Sequence, residues 1–225
     1  MFVRLTLVQS FRGAVLALCL LIPPLVLAET KVVTPTGEYA LIDTRLANET
    51  IRVLSTGSKK EKEAVIGAIR TTPENYAPPV FYLLSNVLFE MGEKDDAAFW
   101  FYAGQLRAQF DANRCADSTA RQAVSVLNNE FGSPINEYMF KDIPKLKSLI
   151  PRVVEWDRKT PHNYDHRWIN LHGMSAMMSG LGASGSVKSV LSLPEDQWND
   201  IAEKTRTDYL EGFQQAMAQM KAMKK

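Results

Sequence analysis

From residue 59 onward, apolar positions recur at the spacing of an α-helix. The stretch 59–70 places Ala64, Ala68 and Ile69 on one face between charged residues, and this period predicts an amphipathic helix. Pro73 predicts its end, because proline disfavours helix at the residue before it. Convincing alternation of apolar and polar residues, which would indicate strands, is missing from the chain.

The next stretch predicts a pair of helices joined by a tight turn. Pro78 suits the first turn of one helix, and Gly92 suits its C-terminal end. Asp95 and Asp96 suit the first turn of the following helix. That helix is apolar on two sides and is therefore predicted to lie between others. The two sides are Ala97, Phe101, Gly104 and Ala108, and Phe99, Tyr102, Leu106 and Phe110.

The positions that carry a family resemblance lie in this hairpin. They are Phe81, Leu84, Ser85, Leu88, the turn 92–97, Phe101 and Gly104. In this pattern the hairpin, about residues 78–110, resembles one tetratricopeptide repeat or its Sel1-like relative; Gln109 departs from it, since a terminating proline is common there. The resemblance implies stacked antiparallel helical hairpins. A single repeat does not bury its own face, so flanking helices are expected to cover it.

The remaining chain predicts further helices. One apolar stripe is expected to end at Gly132, with a new short helix beginning at Ser133-Pro134. Segment 173–190 is rich in Gly, Ser and Met and predicts a loop or a broken helix. Ser192 and Glu195 fit a capping box before a long last helix. The apolar face of that helix comprises Trp198, Ile201, Tyr209, Phe213, Met217 and Met220.

The N-terminus has the layout of a secretory signal peptide. Arg4 and Arg12 precede an apolar stretch, 13–28, that ends in a small residue, Ala28, before Glu29. The apolar stretch is short for a membrane span. We therefore predict cleavage after residue 28 and export to the bacterial periplasm, with no membrane association afterwards; retention of the segment as an anchor is the alternative.

These observations give one fold prediction. We expect an all-α protein of antiparallel hairpins, stacked as in tetratricopeptide arrays, with a long C-terminal helix. The expected divisions are a signal peptide at 1–28, an extended lead-in and first helix at 29–57, and a single helical domain at 58–225.

Charge and cysteine content narrow the functional classes. Cleavage would leave 24 basic and 25 acidic residues, and this balance argues against a nucleic-acid partner. Cys115 would be the only cysteine left, so no internal disulfide can form. We expect a buried free thiol there.

All three histidines lie within residues 162–172, which raises a metal-site hypothesis. His162 and His166 are four residues apart, Asp165 lies between them, and His172 could fold back. Such a set could hold zinc with a position open for water, as in a metal-dependent hydrolase. No HExxH or paired CxxC motif supports it.

A structural or binding role for the same segment competes with the metal hypothesis. If Asn163 caps a helix, His162 lies outside that helix and the four-residue spacing loses its meaning. Tyr164, Arg167 and Trp168 could instead meet a partner. Trp100 joins these candidates because it faces neither apolar side of its helix cleanly.

Taken together, the patterns favour an exported helical-repeat-like protein that binds a protein partner. Immunity proteins against toxins from neighbouring cells and envelope assembly factors belong to this category. No cofactor is expected, except zinc under the hydrolase alternative. A second alternative is binding of a small ligand beneath the loop at 173–190, where methionines would adapt to its shape.

Overall fold

The computed structural model describes residues 33–182 and 190–223, which are all-α, as predicted. Within these ranges the only sheet pairing is one antiparallel bridge between Cys115 and Ser192. The α-helices of this part are α1 (Arg45–Thr56), α2 (Lys59–Thr71), α3 (Pro78–Glu90), α4 (Lys94–Arg114), α5 (Gln122–Met139), α6 (Ile143–Lys159), α7 (Met174–Gly180) and α8 (Trp198–Met223).

All described residues belong to one compact unit, which includes residues 33–57 of the expected lead-in and first helix. No helix in the described ranges is both long and apolar enough to cross a bilayer. The expected signal peptide, 1–28, lies outside the described residues. Of the expected loop at 173–190, residues 183–189 also lie outside them, and residues 174–180 form α7.

The predicted hairpin forms between α3 and α4. Gly92 ends α3 with a φ of 88°, a backbone conformation that costs glycine little. The amide of Gly92 donates to the Phe89 carbonyl, and that of Glu93 donates to the Leu88 carbonyl at 2.9 Å. This pair of bonds is the Schellman pattern, and it satisfies carbonyls at the helix end.

A close contact between the two helices explains the glycine in α4. A Cβ atom on Gly104 would lie 3.1 Å from Cβ of Phe81 and 3.3 Å from Cδ2 of Tyr82. Phe81 and Tyr82 are fully buried, so neither ring can move aside into solvent. Glycine allows this close approach, whereas a Cβ at position 104 would require its neighbours to shift by a few tenths of an ångström.

Helix α4 is the centre of the molecule. It packs against α3, α5, α6 and α8, as its two apolar sides predicted. The described helices give no evidence of a tetratricopeptide or Sel1-like repeat, so the resemblance to that family and the repeat-like stacking remain predictions.

The expected break between two helices at Gly132 and Pro134 is wrong, because α5 runs unbroken through both residues. Proline at position 134 removes only the hydrogen bond to the carbonyl of Glu130, and Glu130 is exposed, so water can bond that carbonyl. Gly132 is a packing position: a Cβ there would lie 3.1 Å from Cζ of Phe101.

Cys115 follows α4 and is buried, as expected for a free thiol without a partner. Its Sγ lies 3.4 Å from the carbonyl oxygen of Asp117. Burial raises the pKa of the Cys115 thiol to about 11, since the thiolate would lose its hydration.

Candidate functional site

The histidine segment, residues 162–172, connects α6 to α7 and ends in a 3₁₀ helix, His166–His172. Asp165 caps this helix by accepting a hydrogen bond from the backbone amide of Arg167. His162 therefore lies before the helix, and its four-residue spacing to His166 does not align the two rings.

Each histidine has a separate environment. Nε2 of His162 lies 3.0 Å from Oδ1 of Asp157, and Nε2 of His166 lies 2.7 Å from Oγ of Ser192. The ring of His172 packs edge-on against Trp168 with its centroid 5.7 Å away. The predicted capping box of Ser192 and Glu195 is wrong. Ser192 contacts His166 and caps no helix, and Pro194 is the residue that precedes the 3₁₀ turn Glu195–Gln197.

The predicted zinc ligands are not brought together. Asp165 receives two hydrogen bonds from the Arg167 guanidinium, at 2.9 and 2.7 Å, and one from the backbone amide of Asp43. Partial burial opposes ionisation of Asp165, but these bonds outweigh it and lower its pKa. Across residues 33–182 and 190–223, no three His, Cys, Asp or Glu side chains form a group that could hold a metal ion.

Beneath the histidine segment, the buried carboxylate of Asp157 is paired with two arginine side chains. Its carboxylate accepts hydrogen bonds from Nε of Arg107 at 3.0 Å and Nε of Arg206 at 2.8 Å, in addition to the His162 contact. The Arg107 guanidinium also lies 4.5 Å from the ring centroid of Trp156. Burial opposes ionisation of Asp157, yet the His162 hydrogen bond and the two guanidinium charges lower its pKa to about 2.

A second buried carboxylate, Asp111, holds the aromatic residues of the segment. Its Oδ2 accepts hydrogen bonds from the Tyr164 hydroxyl at 3.0 Å and from Nε1 of Trp168 at 2.7 Å. Its Oδ1 pairs with Arg114 at 2.6 Å. The segment is thus fastened to α4 through its tyrosine and tryptophan.

The predicted binding residues differ in their access to a partner. Trp100 is only 4% exposed, and its ring packs against Phe81, Phe99 and Trp156, so its assignment as a surface contact is wrong. Helix α4 packs against four other helices, so Trp100 is buried although it belongs to neither apolar side of α4.

The other three predicted binding residues lie in the segment itself. Trp168 is 3% exposed and Tyr164 is half-buried, while Arg167 is partly exposed and also donates to the Leu41 carbonyl. These contacts leave Arg167 as the most accessible of the predicted binding residues.

An apolar groove of about 780 Å³ lies next to the histidine segment. Trp168 and His172 form part of its lining, which also comprises Ile51, Ala77, Pro79, Val126, Leu127 and Leu171. We call this surface the apolar groove. A smaller cleft of about 440 Å³ shares Ala47 and Trp168 with it and is lined by Tyr164. Some of the predicted residues therefore line these concave surfaces: Trp168 and His172 the groove, and Tyr164 the smaller cleft.

The sequence analysis missed Val126, an apolar residue of the groove that is 60% exposed. It lies on α5 next to the stripe that contains Val124 and Leu127, but outside that stripe. A β-branched apolar residue on the outer side of an amphipathic helix was the available signal.

The chain matches no protein-family model, no curated protein and no solved structure.

Proposed function

We propose that this protein is exported to the bacterial periplasm and there binds a partner protein through the apolar groove. The observation that carries the proposal is the groove itself, an apolar concavity of about 780 Å³ with Val126 exposed at its edge. Contiguous exposed apolar surface on a soluble protein marks an interaction site, because leaving it in water is unfavourable.

The elements around the groove favour a helix as the bound element. Ile51 of α1 and Val126 and Leu127 of α5 come from separate helices, and Leu171 comes from the 3₁₀ helix. An apolar helix face places side chains into such a groove at three- and four-residue intervals. Gln122, which also lines the groove, can hydrogen-bond polar groups beside that face.

The export prediction and the groove are consistent with an immunity protein or an envelope assembly factor. Either would hold one partner outside the cytoplasm and need no catalytic group. No described observation favours the metal-dependent hydrolase, since His162, Asp165, His166 and His172 do not assemble a ligand set.

Photo-crosslinking in living cells tests the proposal. A photoreactive amino acid replacing Gln122 should give a discrete adduct with a partner protein. The same amino acid replacing Lys147, an exposed residue of α6 that does not line the groove, should not. Adding Val126→Glu should reduce the adduct about tenfold, because a charge would then be buried at the interface.

Two results would contradict the groove as the binding surface. One is no adduct from position 122, and the other is an adduct of equal yield from positions 122 and 147. Unchanged circular dichroism of the Val126→Glu variant shows that loss of the adduct does not arise from unfolding; the exposure of Val126 leads us to expect this.

A further inference from the structure

A second concave surface lies between α4, α5 and α8, and its character is different. It has a volume of about 470 Å³, and its uncharged polar lining comprises Gln105, Gln109, Asn113, Asn128, Thr205 and Tyr209. We call it the amide cleft. Gln105, Gln109 and Asn113 all belong to α4 and follow one another at intervals of four residues. They therefore form one row along the helix with a spacing of about 6 Å.

Internal hydrogen bonds fix the orientation of this row. The Tyr209 hydroxyl donates to Oε1 of Gln105 at 2.7 Å. Nε2 of Gln109 donates to Oδ1 of Asn113 at 3.0 Å, and Nδ2 of Asn113 donates to Oγ1 of Thr205 at 2.9 Å. Side chains held in this way lose little further freedom when a ligand binds.

The fixed amides retain unused hydrogen-bonding capacity. Within the described ranges, Nε2 of Gln105 and Oε1 of Gln109 have no hydrogen-bond partner. Asn128 accepts a hydrogen bond from the Tyr82 hydroxyl through Oδ1, and its Nδ2 has no partner in the same ranges. The cleft thus offers two amide donors and one acceptor from a half-buried surface.

The rest of the lining restricts the ligand further. Tyr102, Phe213 and Ile150 contribute apolar surface, and among the residues that the structure describes no lysine or arginine lines the cleft. Asp208, the one carboxylate among the described lining residues, pairs with Lys204 at 2.8 Å. A phosphate or carboxylate ligand would find no counter-charge there. A fitting ligand is uncharged, with hydroxyl groups on its edges and an apolar C–H face.

We propose that the amide cleft binds a short neutral saccharide. A pyranose ring has the required hydroxyl edges and C–H face, and a cleft of about 470 Å³ is within the size range of small-molecule sites. This inference uses none of the residues of the apolar groove and does not depend on the proposed protein partner.

Gly212 provides a specific way to block the cleft. It lines the cleft on α8, and a Cβ atom built there has no neighbour within 4 Å. Gly212→Leu should therefore fill part of the cleft without a backbone clash. Gly67→Leu is the matched control, since Gly67 lies in α2, lines neither concave surface and also has no neighbour within 4 Å. Both changes should maintain the melting temperature, because leucine favours helix over glycine.

The experiment is a calorimetric titration of the mature protein with maltotriose, cellotriose and chitotriose, with trialanine and inorganic phosphate as comparison probes. We expect saturable millimolar or tighter binding of at least one trisaccharide. Gly212→Leu should weaken it about tenfold or more, and Gly67→Leu should not change it. Gln109→Leu should also weaken it, while Gln215→Leu, at an exposed position of α8 outside the cleft, should not.

The proposal is overturned if no trisaccharide binds, or if Gly212→Leu and Gly67→Leu bind it equally. Stronger binding of trialanine or phosphate than of every sugar would overturn the ligand class. Because Gly212 and Gln109 lie outside the apolar groove, these results leave the crosslinking experiment unaffected.

Discussion

Asp157 is the position at which the buried charges of this protein meet. It is 3% exposed and accepts hydrogen bonds from Arg107 and Arg206, with the His162 ring on the same carboxylate. Arg107 is fully buried, so its charge is removed from water and has Asp157 as its paired carboxylate. Removing one member of such a pair leaves an uncompensated buried charge.

We expect Asp157→Asn to lower the free energy of unfolding by about 3–5 kcal/mol, the cost typical of breaking a buried ion pair. Equilibrium urea denaturation of the purified protein measures this change. Asp208→Asn is the control, because Asp208 pairs with an exposed lysine, Lys204, and such pairs contribute about 1 kcal/mol or less. Equal losses in the two variants would show that Asp157 does not compensate a buried charge.

For single residues, the sequence predicted contacts between neighbours along the chain but not contacts between residues far apart in it. Tyr164 and Trp168 lie close to the histidines in the sequence, and they do contact the rings of His162 and His172. Asp111 lies 53 residues before Tyr164, and no local pattern connects the two. The aromatic residues suggested either a structural or a binding role, and their hydrogen bonds to Asp111 favour the structural one.

Among the helices, α5 contains a proline, Pro134, whose replacement should increase the stability of the protein. Pro134 has no backbone N–H, so the Glu130 carbonyl lacks its helical partner. We expect Pro134→Ala to restore that hydrogen bond and raise the free energy of unfolding by about 1–2 kcal/mol.

Pro144 is the matched control for this change. It stands in the first turn of α6, where a backbone N–H has no helical partner in any case. Pro144→Ala should give no increase in stability in the same urea denaturation experiment. A Pro134→Ala variant that is less stable than the wild type would show that the ring of Pro134 contributes essential packing.

The two glycines that were predicted to end helices show what a periodic pattern can and cannot establish. Gly92 does end α3, because a positive φ there closes the turn. Gly132 lies inside α5, where it accommodates the Phe101 ring from α4. Helix positions follow from apolar spacing along one segment. The role of a glycine depends on what a second segment places against it, and that information is not local.

For the molecule as a whole, burial of histidines makes stability depend on pH. Burial, with a contribution from the nearby Arg114 charge, lowers the pKa of His166 to about 4, against 6.5 for the free side chain. Burial also lowers the pKa of His162, although Asp157 opposes that change. Between about pH 6.5 and pH 4 the unfolded chain therefore binds more protons than the folded protein.

The free energy of unfolding should accordingly decrease as pH falls from about 6.5 to 4, with neutral histidines favouring the folded state above that window. Thermal melts across this range measure the effect. His166→Gln keeps a polar contact with Ser192 but does not titrate, so its melting temperature should depend less on pH. A pH dependence identical to that of the wild type would contradict this role of His166.

The buried thiol of Cys115 bears on the proposed export. Formation of intermolecular disulfides needs an accessible thiolate, and this sulfur is buried, with a pKa of about 11. If the protein is exported as proposed, the native state would thus resist oxidative cross-linking in the compartment that promotes it. A disulfide-linked dimer can form through Cys115 only after unfolding exposes the sulfur. The rate at which such dimers accumulate would therefore measure how often the protein unfolds around Cys115.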